Sequence, residues 1–141
     1  MDGVTYLADT NIVSEMMRPH PFAAVNTAWQ VHDHEIAIST VSWHELLVGI
    51  RRLPHSKKRT AYGKFLYTYL QKQVIILPYN QVAAEWHADE RTRLMQIGKT
   101  PSFPDGQIAA IAAVNDLTLV TRNVQDFADF ANLRIENWFE A

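Results

Sequence analysis

The chain has 141 residues, 48% of them hydrophobic, with a formal net charge of −2, which suits one globular domain with an ordinary core. It contains no cysteine, which excludes disulfides and thiolate metal sites and fits a reducing, cytoplasmic location. No apolar run approaches the roughly 20 residues that cross a bilayer. We therefore expect no membrane association, and no signal peptide, because the N-terminus lacks a basic region followed by an apolar core.

Strands and helices alternate along the chain according to the spacing of its apolar residues. The predicted strands cover residues 4–8, 36–39, 74–77 and 117–121, with a short last strand at 133–135. The predicted helices cover 12–17, 22–32 and 42–50, then 56–70, 80–97 and 105–114, with a short one from 123 to 130. This alternation predicts an α/β fold over residues 1–141, with a mostly parallel sheet of four to five strands flanked by helices.

Basic residues form a block in the middle of the chain. No Asp or Glu occurs from Leu46 to Ala84, and the interval carries Arg51, Arg52, Lys57, Lys58, Arg59, Lys64 and Lys72. Such a block either contacts a polyanion or forms a solvated helix face with its loop. Charge alone leaves both interpretations open.

Four acidic residues are candidates for a shared site, and three of them follow the predicted strands closely. Asp9 ends the first strand, and Glu45 and Asp126 lie in the first turn of the helices after the second and fourth strands. Asp105 begins a helix whose preceding loop returns to the sheet. Because right-handed crossovers bring the carboxyl ends of parallel strands to one edge, we expect these four acids to converge there.

Clustered carboxylates indicate a divalent cation. Mg²⁺ and Mn²⁺ prefer oxygen ligands, and without a cation the acids would repel each other. A competing interpretation is helix capping. Glu45, Asp105 and Asp126 each stand three residues after a Ser or Asn, at Ser42, Ser102 and Asn123, and such acids favour a helix N-terminus without catalysis. Capping, however, does not require the acids to meet.

The chain resembles the PIN-domain ribonucleases, and most of all the VapC-like toxins of bacterial type II toxin–antitoxin pairs. The resemblance rests on four blocks in order along the chain: Leu7-Ala8-Asp9-Thr10-Asn11, Ser42-Trp43-His44-Glu45-Leu46, Pro104-Asp105-Gly106-Gln107-Ile108-Ala109-Ala110-Ile111-Ala112 and Thr121-Arg122-Asn123-Val124-Gln125-Asp126-Phe127. It implies a single PIN-like nuclease domain and Mg²⁺- or Mn²⁺-dependent endonucleolytic cleavage of RNA.

The resemblance also implies roles for individual residues. Asp9, Glu45 and Asp105 would be metal ligands, with Asp126 as the fourth acid, directly or through water. Asn11, Thr121 and Asn123 would orient the carboxylates and water. The expected partners are an RNA substrate, a cognate antitoxin whose tail occupies the active-site groove, and a second copy in a homodimer. RNA phosphates would meet the basic residues Arg51, Arg52, Lys57, Lys58, Arg59 and Arg122, although Arg122 fits a surface ion pair equally well.

Other functions remain possible on the same fold. A phosphatase with a strand-end Asp nucleophile would have a second Asp two residues later, where this chain has Asn11, and a Lys in a later block, which this chain lacks. A non-catalytic RNA- or protein-binding module would normally have lost at least one acid. A PIN nuclease that processes RNA without being a toxin is the remaining alternative.

Overall fold

The computed structural model describes residues 3–140 and contains a five-stranded sheet in which all the strands are parallel. The strand order is β3-β2-β1-β4-β5. The strands are β1 (Tyr6–Ala8), β2 (Ile36–Ser39), β3 (Ile75–Leu77), β4 (Thr118–Val120) and β5 (Ile135–Glu136). The predicted α/β class and strand number are confirmed.

Eight α-helical segments connect the strands and cover both faces of the sheet. They are α1 (Thr10–Met16), α2 (Ala23–Val31), α3 (Thr40–Arg51), α4 (Lys57–Lys64), α5 (Gln71–Gln73), α6 (Gln81–Gln96), α7 (Phe103–Val114) and α8 (Val124–Phe127). A π-helical stretch, Phe65–Leu70, joins α4 to α5, and a 3₁₀ turn, Asp33–Glu35, leads into β2. None of the helices within residues 3–140 has the length and apolarity needed to cross a membrane.

Two hydrophobic cores lie on opposite faces of the sheet. Neighbouring residues of a strand point to opposite faces, so Leu7 belongs to the core formed with α6 and α7, and Ala8 to the core formed with α1 to α3. In β4, Leu119 and Val120 divide in the same way. Both faces are covered, which explains why the strands are short and almost wholly apolar.

The strand order reverses at β1. The chain places β2 and β3 on one side of β1 and then crosses to place β4 and β5 on the other. Residues at the carboxyl ends of β1 and β4 therefore border the crevice where α/β proteins bind their ligands. Asp9 directly follows β1, and Thr121 directly follows β4.

The starts of two helices differ from the prediction. The helix after β2 begins at Thr40, because the Oγ of Ser39, the last residue of β2, accepts a 2.9 Å hydrogen bond from the Ser42 N–H. Ser42 is consequently inside α3 and is not its cap, so Glu45 lies beyond the first turn. The helix carrying Asp105 begins two residues early, at Phe103, and is capped by Ser102.

The end of the chain also differs in detail. Asn123 precedes α8 without a capping hydrogen bond from its side chain, so the predicted cap at this position is wrong. Helix α8 ends at Phe127, although Phe130 is buried beyond it. The last strand is Ile135–Glu136, slightly later than predicted, because its register is set by pairing with β4.

Candidate active site

Asp9 lies at the centre of the carboxyl edge and is held by three hydrogen bonds. Its Oδ1 accepts from the Thr10 N–H at 2.8 Å. Its Oδ2 accepts from the Asn11 side-chain amide at 3.1 Å and from the Thr121 hydroxyl at 2.8 Å. Only 6% of Asp9 is exposed, so its carboxylate has one fixed orientation toward the crevice.

Glu45 reaches the same edge from α3 and is bound by Thr10. The Thr10 Oγ1 lies 2.8 Å from the Glu45 Oε1 and 2.9 Å from the hydroxyl of the buried Ser42. A hydroxyl has one proton, and the charged carboxylate is the stronger acceptor. Thr10 therefore donates to Glu45 and accepts from Ser42, so two hydroxyls in series connect the interior of α3 to the Glu45 carboxylate.

Asp105 and Asp126 complete the acidic cluster. Asp105 lies in the first turn of α7, where its N–H donates to the Ser102 Oγ at 3.3 Å. Asp126 is in α8, and its N–H donates to the carbonyl of Asn123 at 3.0 Å. The hydroxyl of Thr121 also accepts from the Asn123 N–H at 3.1 Å. Thr121 thus connects the start of α8 with Asp9.

The acids influence one another electrostatically. Burial raises the pKa of Asp9, the Thr121 hydroxyl and the Thr10 N–H oppose this rise, and Asp105 and Glu45 add to it. Burial likewise raises the pKa of Asp105, with Ser102 opposing and with Asp126 and Glu45 contributing repulsion. The four acids therefore lie near enough to repel one another in pairs: Asp9 with Asp105 and Glu45, and Asp105 with Asp126 and Glu45.

The residues fit a hard divalent cation in their chemistry. The donors at this edge are carboxylate, hydroxyl and amide oxygens, which Mg²⁺ and Mn²⁺ favour, and a cation would relieve the repulsion that raises the two pKa values. Among residues 3–140, no three acidic or histidine side chains are close enough together in this structure to enclose one ion. A cation held here would need at least three of these side chains to lie closer together than they do in this structure.

Three of the four predicted acids, Asp9, Glu45 and Asp105, line one groove of about 750 Å³, which we call the acidic groove. Asp126 does not line it, although its neighbour Asn123 does. The groove runs from the carboxyl edge between α1, α3 and α4. Its lining includes the acids Asp9, Glu45, Asp105 and Glu15, the polar Thr10, Asn11, Ser14 and Asn123, the cations Arg18 and Lys58, and Tyr62 with the apolar residues between α1 and α3.

The predicted basic block divides between different surfaces. Lys58 lines the acidic groove. Arg51 and Arg59 line a separate depression with His55 and Tyr67, and Lys57 lines a third with Lys64. The pitch of α4 causes this division, because neighbouring residues point about 100° apart around a helix.

Within the part of the chain that the structure describes, Arg122 forms no surface ion pair. Among residues 3–140, the ion pairs of the arginines join Arg18 to Glu15, Arg93 to Glu90 and Arg134 to Asp116. The Arg122 guanidinium instead lies 4.3 Å from the centre of the Phe139 ring. The backbone N–H of Arg122 donates to the Asn11 Oδ1 at 3.2 Å. The positive charge of Arg122 therefore remains available beside the acidic cluster.

Residues 6–133 match the PIN domain family. The chain belongs to the PIN-domain family. This confirms the resemblance that the four sequence blocks indicated.

Relatives of this PIN domain include toxin FitB of Neisseria gonorrhoeae, 31% identical over 129 residues, which cover 86% of this chain and 89% of FitB. Ribonuclease VapC2 of Rickettsia felis is 31% identical over 134 residues, covering 94% of this chain and 97% of VapC2. Among solved structures, FitAcB from Neisseria gonorrhoeae superposes with a TM-score of 0.86 at 29% identity, covering 97% of this chain and 100% of that one. VapBC2 from Rickettsia felis, bound to a DNA fragment from its promoter, gives a TM-score of 0.82 at 28% identity, covering 96% and 99%.

The sequence analysis did not identify three polar residues at or beside the acidic groove of this PIN domain. Thr10 and Ser42 form the hydroxyl series to Glu45, and Glu15 is a buried acid on the groove wall. The available signal was position: Thr10 follows the strand-end acid directly, and Ser42 stands three residues, almost one helical turn, before Glu45.

Proposed function

We propose that this PIN domain is a Mg²⁺- or Mn²⁺-dependent endoribonuclease that hydrolyses RNA phosphodiester bonds, and that it is the toxin of a toxin–antitoxin pair. Asp9, Glu45 and Asp105 would hold the metal, with Asp126 as the fourth acid. Asn11, Thr121 and Asn123 would support them. The observation that carries the proposal is that Asp9, Glu45 and Asp105 come from three different parts of the chain and line one groove.

The fixed position of Asp9 supports a metal-dependent reaction. A buried carboxylate with a raised pKa is costly in an unliganded protein, yet three donors hold it pointing into the crevice. When bound, a divalent ion supplies an activated water and stabilises negative charge on the phosphate. The role of the chain is to hold Asp9 by Thr121 and Asn11 and to hold Glu45 by Thr10, so that the carboxylates are oriented before the substrate arrives.

RNA binding would depend on cations around the acidic groove. Phosphate neutralisation provides most of the affinity of proteins for nucleic acids. Among the predicted basic residues, Lys58 lines the groove, and Arg122 binds the groove residue Asn11 through its backbone N–H, which places both beside the acids. Arg51, Arg52, Lys57 and Arg59 would extend the positive surface along α3 and α4, away from the acids.

The catalytic proposal is tested by comparing wild type with Asp9→Asn on RNA in the presence of Mn²⁺. The wild-type protein should cleave RNA internally, and the variant should not. Asn at position 9 removes one negatively charged metal ligand, and its NH₂ group cannot accept the hydrogen bonds that Asn11 and Thr121 donate to Asp9. A matched control is Asp116→Asn, since Asp116 lies at the opposite end of β4 and its positive φ of 57° suits Asn. Equal cleavage by wild type and Asp9→Asn contradicts the assignment.

A toxin also requires a partner that neutralises it. The structures of FitAcB and VapBC2 are complexes of related chains, and we infer that this chain likewise binds a small antitoxin and forms a homodimer. Expression of the wild type should stop growth, co-expression of the neighbouring antitoxin gene should restore it, and Asp9→Asn should be harmless alone. Harmless expression of an active wild-type enzyme favours a PIN nuclease of RNA processing instead.

The non-catalytic alternative predicts a different result. A binding module of this fold would hold RNA or protein with the same affinity with or without Mn²⁺ and would leave RNA intact. The retention of all four acids and of the donors around Asp9 favours the enzyme.

A further inference from the structure

Arg18 stands on the wall of the acidic groove just after α1. Its side chain is 61% exposed, and its Nη1 donates to both carboxylate oxygens of Glu15, at 3.1 and 3.0 Å. Within residues 3–140, the Arg18 guanidinium has no other protein acceptor. A guanidinium has five N–H donors, so most of the donors of this groove-lining residue are free to bind a ligand.

Glu15 fixes the direction of this guanidinium. It is 6% exposed, and its Oε2 also accepts the Phe22 N–H at 2.9 Å, at the residue before α2. A buried carboxylate bound on two sides has little freedom to move. Arg18 is therefore held in place from behind, as an arginine is where planar, directional recognition of phosphate is needed.

The negative charge of the acidic groove makes a cation such as Arg18 necessary for binding a phosphate backbone. Asp9, Glu45 and Asp105 repel the phosphates of a nucleic acid strand, and a strand that places one phosphate near them needs cations for its neighbours. Two cations line the groove with these acids, Arg18 and Lys58. Lys58 extends over Tyr62, with its Nζ 5.5 Å from the ring centre, and its ammonium is a point charge on a flexible side chain. The Arg18 guanidinium is instead held in one orientation by Glu15.

We propose that Arg18, oriented by Glu15, binds a backbone phosphate of the RNA strand adjacent to the phosphate that is cleaved. This rests on the proposed ribonuclease function and names a substrate-binding residue outside the predicted basic block. The competing explanation is structural: the ion pair would only fasten α1 to the start of α2, and RNA would not contact Arg18.

Changing Arg18 alone would leave a buried charge on Glu15 unpaired, which is costly by itself. The decisive variant is therefore the double change Glu15→Gln with Arg18→Met, which removes both charges and keeps an acceptor for the Phe22 N–H. The single change Glu15→Gln keeps the Arg18 charge and is compared with it. If the double variant does not fold, Arg18→Gln provides a neutral side chain that still donates to Glu15.

The measurement is the anisotropy of a short fluorescein-labelled single-stranded RNA in EDTA, over a series of KCl concentrations. Loss of one phosphate contact lowers the slope of log K against log salt by about 0.7 for single strands. The double variant should show this loss, and Glu15→Gln should keep the wild-type slope with weaker binding. With Mn²⁺, the double variant should raise KM for RNA cleavage while kcat changes little.

The matched control is the pair Arg134–Asp116, joined at 3.0 Å at the opposite end of β4. The double change Arg134→Met with Asp116→Asn removes the same two charges and should leave the slope unchanged. If wild type cleaves RNA and the Glu15–Arg18 double variant keeps its slope and KM, the Arg18 assignment is wrong while the ribonuclease function stands. If wild type binds RNA but never cleaves it, the ribonuclease function is wrong; if it does neither, both proposals fall.

Discussion

The hydroxyl of Thr121 donates a 2.8 Å hydrogen bond to the Oδ2 of Asp9, although the two residues are 112 positions apart in the chain. The bond spans the point at which the strand order reverses, because Asp9 follows β1 and Thr121 follows β4. Thr121 is fully buried. The same hydroxyl accepts the Asn123 N–H, so one side chain positions both Asp9 and the start of α8.

Replacing Thr121 with Val should weaken metal binding and cleavage. Val keeps the shape but removes the bond that opposes the raised pKa of Asp9, so the pKa should rise further. A hydrogen bond to a charged group is worth about 1.5–3 kcal/mol, and loss of a group that orients a ligand costs roughly 10-fold or more in metal affinity. Titration calorimetry with Mn²⁺ and thermal unfolding measure the two effects.

The control for this change is Thr118→Val. Thr118 is also a buried Thr of the β4 segment, but it lies at the amino end and accepts only a long 3.4 Å bond from the Arg134 Nε. Its replacement should leave Mn²⁺ affinity unchanged. A Thr121→Val protein with wild-type Mn²⁺ affinity contradicts the positioning role.

The sequence was sufficient to predict the parallel sheet and the edge where the acids gather. Strand-end position placed Asp9 and Glu45 at one groove, because the topology of alternating strands and helices leaves few other arrangements. Asp105, which follows the loop after α6, also lines this groove, whereas Asp126, which follows β4, does not. The helix starts were less predictable. Thr40 and Val41 are β-branched and resemble a continuation of β2, yet the buried Ser39 caps the helix before them.

Contacts across the fold could not be read from spacing. The bond from Thr10 to Glu45 joins residues 35 positions apart, and it depends on how α1 packs against α3. The direction of each cation in the basic block likewise depends on the rotation of α4, which placed Lys58 in the acidic groove and Arg59 outside it. These contacts and directions result from tertiary packing and cannot be predicted from the local spacing of residues in the sequence.

Metal binding should stabilise the protein more as the pH rises. Burial and neighbouring acids raise the pKa values of Asp9 and Asp105. In metal-free protein, the stability associated with these groups is therefore complete below their unfolded-state pKa and is lost as the pH rises through their folded-state pKa. A cation binds the ionised form and should restore that loss.

The experiment compares the Tm in EDTA and in Mn²⁺ from the ordinary aspartate pKa of 3.8 up to about pH 8. The gain in Tm from Mn²⁺ should grow with pH in wild type and should be much smaller in Asp105→Asn, which has one fewer ionisable ligand. A gain that is independent of pH, or equal in both proteins, shows that the ion binds elsewhere.

Gly106 allows α6 and α7 to approach closely beside the site. A Cβ built on Gly106 would overlap the imidazole of His87, which is buried and hydrogen-bonded through Nδ1 to the Tyr79 hydroxyl at 2.9 Å. Gly106→Ala should therefore shift the first turn of α7, which carries Asp105, at a cost of about 1–3 kcal/mol for overpacking. Cleavage should fall, since Asp105 is displaced from Asp9.

Two further variants separate this clash from the general effect of alanine in a helix. His87→Ala combined with Gly106→Ala removes the overlap and should recover part of the activity lost by Gly106→Ala alone. Gly63→Ala in α4 meets nothing within 4 Å and should be neutral or stabilise by up to about 1 kcal/mol. Full activity in Gly106→Ala means that the position of α7 does not depend on this contact.

Glu90 should give the protein stability that is lost in acid. Both of its oxygens accept from Arg93, at 2.8 and 2.9 Å, and its Oε1 also accepts from the Ala131 N–H at 2.6 Å. The Arg93 hydrogen bonds lower the pKa of Glu90, against the opposing effect of burial. A depressed folded-state pKa contributes stability above the unfolded-state pKa, and this stability disappears as the pH falls through the folded-state value.

Glu90→Gln should therefore lower the Tm at neutral pH, and the difference from wild type should shrink as the pH falls below the ordinary pKa of a glutamate. Tm measured in EDTA across this range gives the curve without interference from metal binding. Asp129→Asn is the matched control, because the Asp129–Lys99 pair is half exposed on both sides and such surface pairs contribute about 0–1 kcal/mol. A Glu90→Gln deficit that persists unchanged in acid would show that Glu90 stabilises the loop at Ala131 by shape and neutral hydrogen bonding, and that its charge contributes nothing.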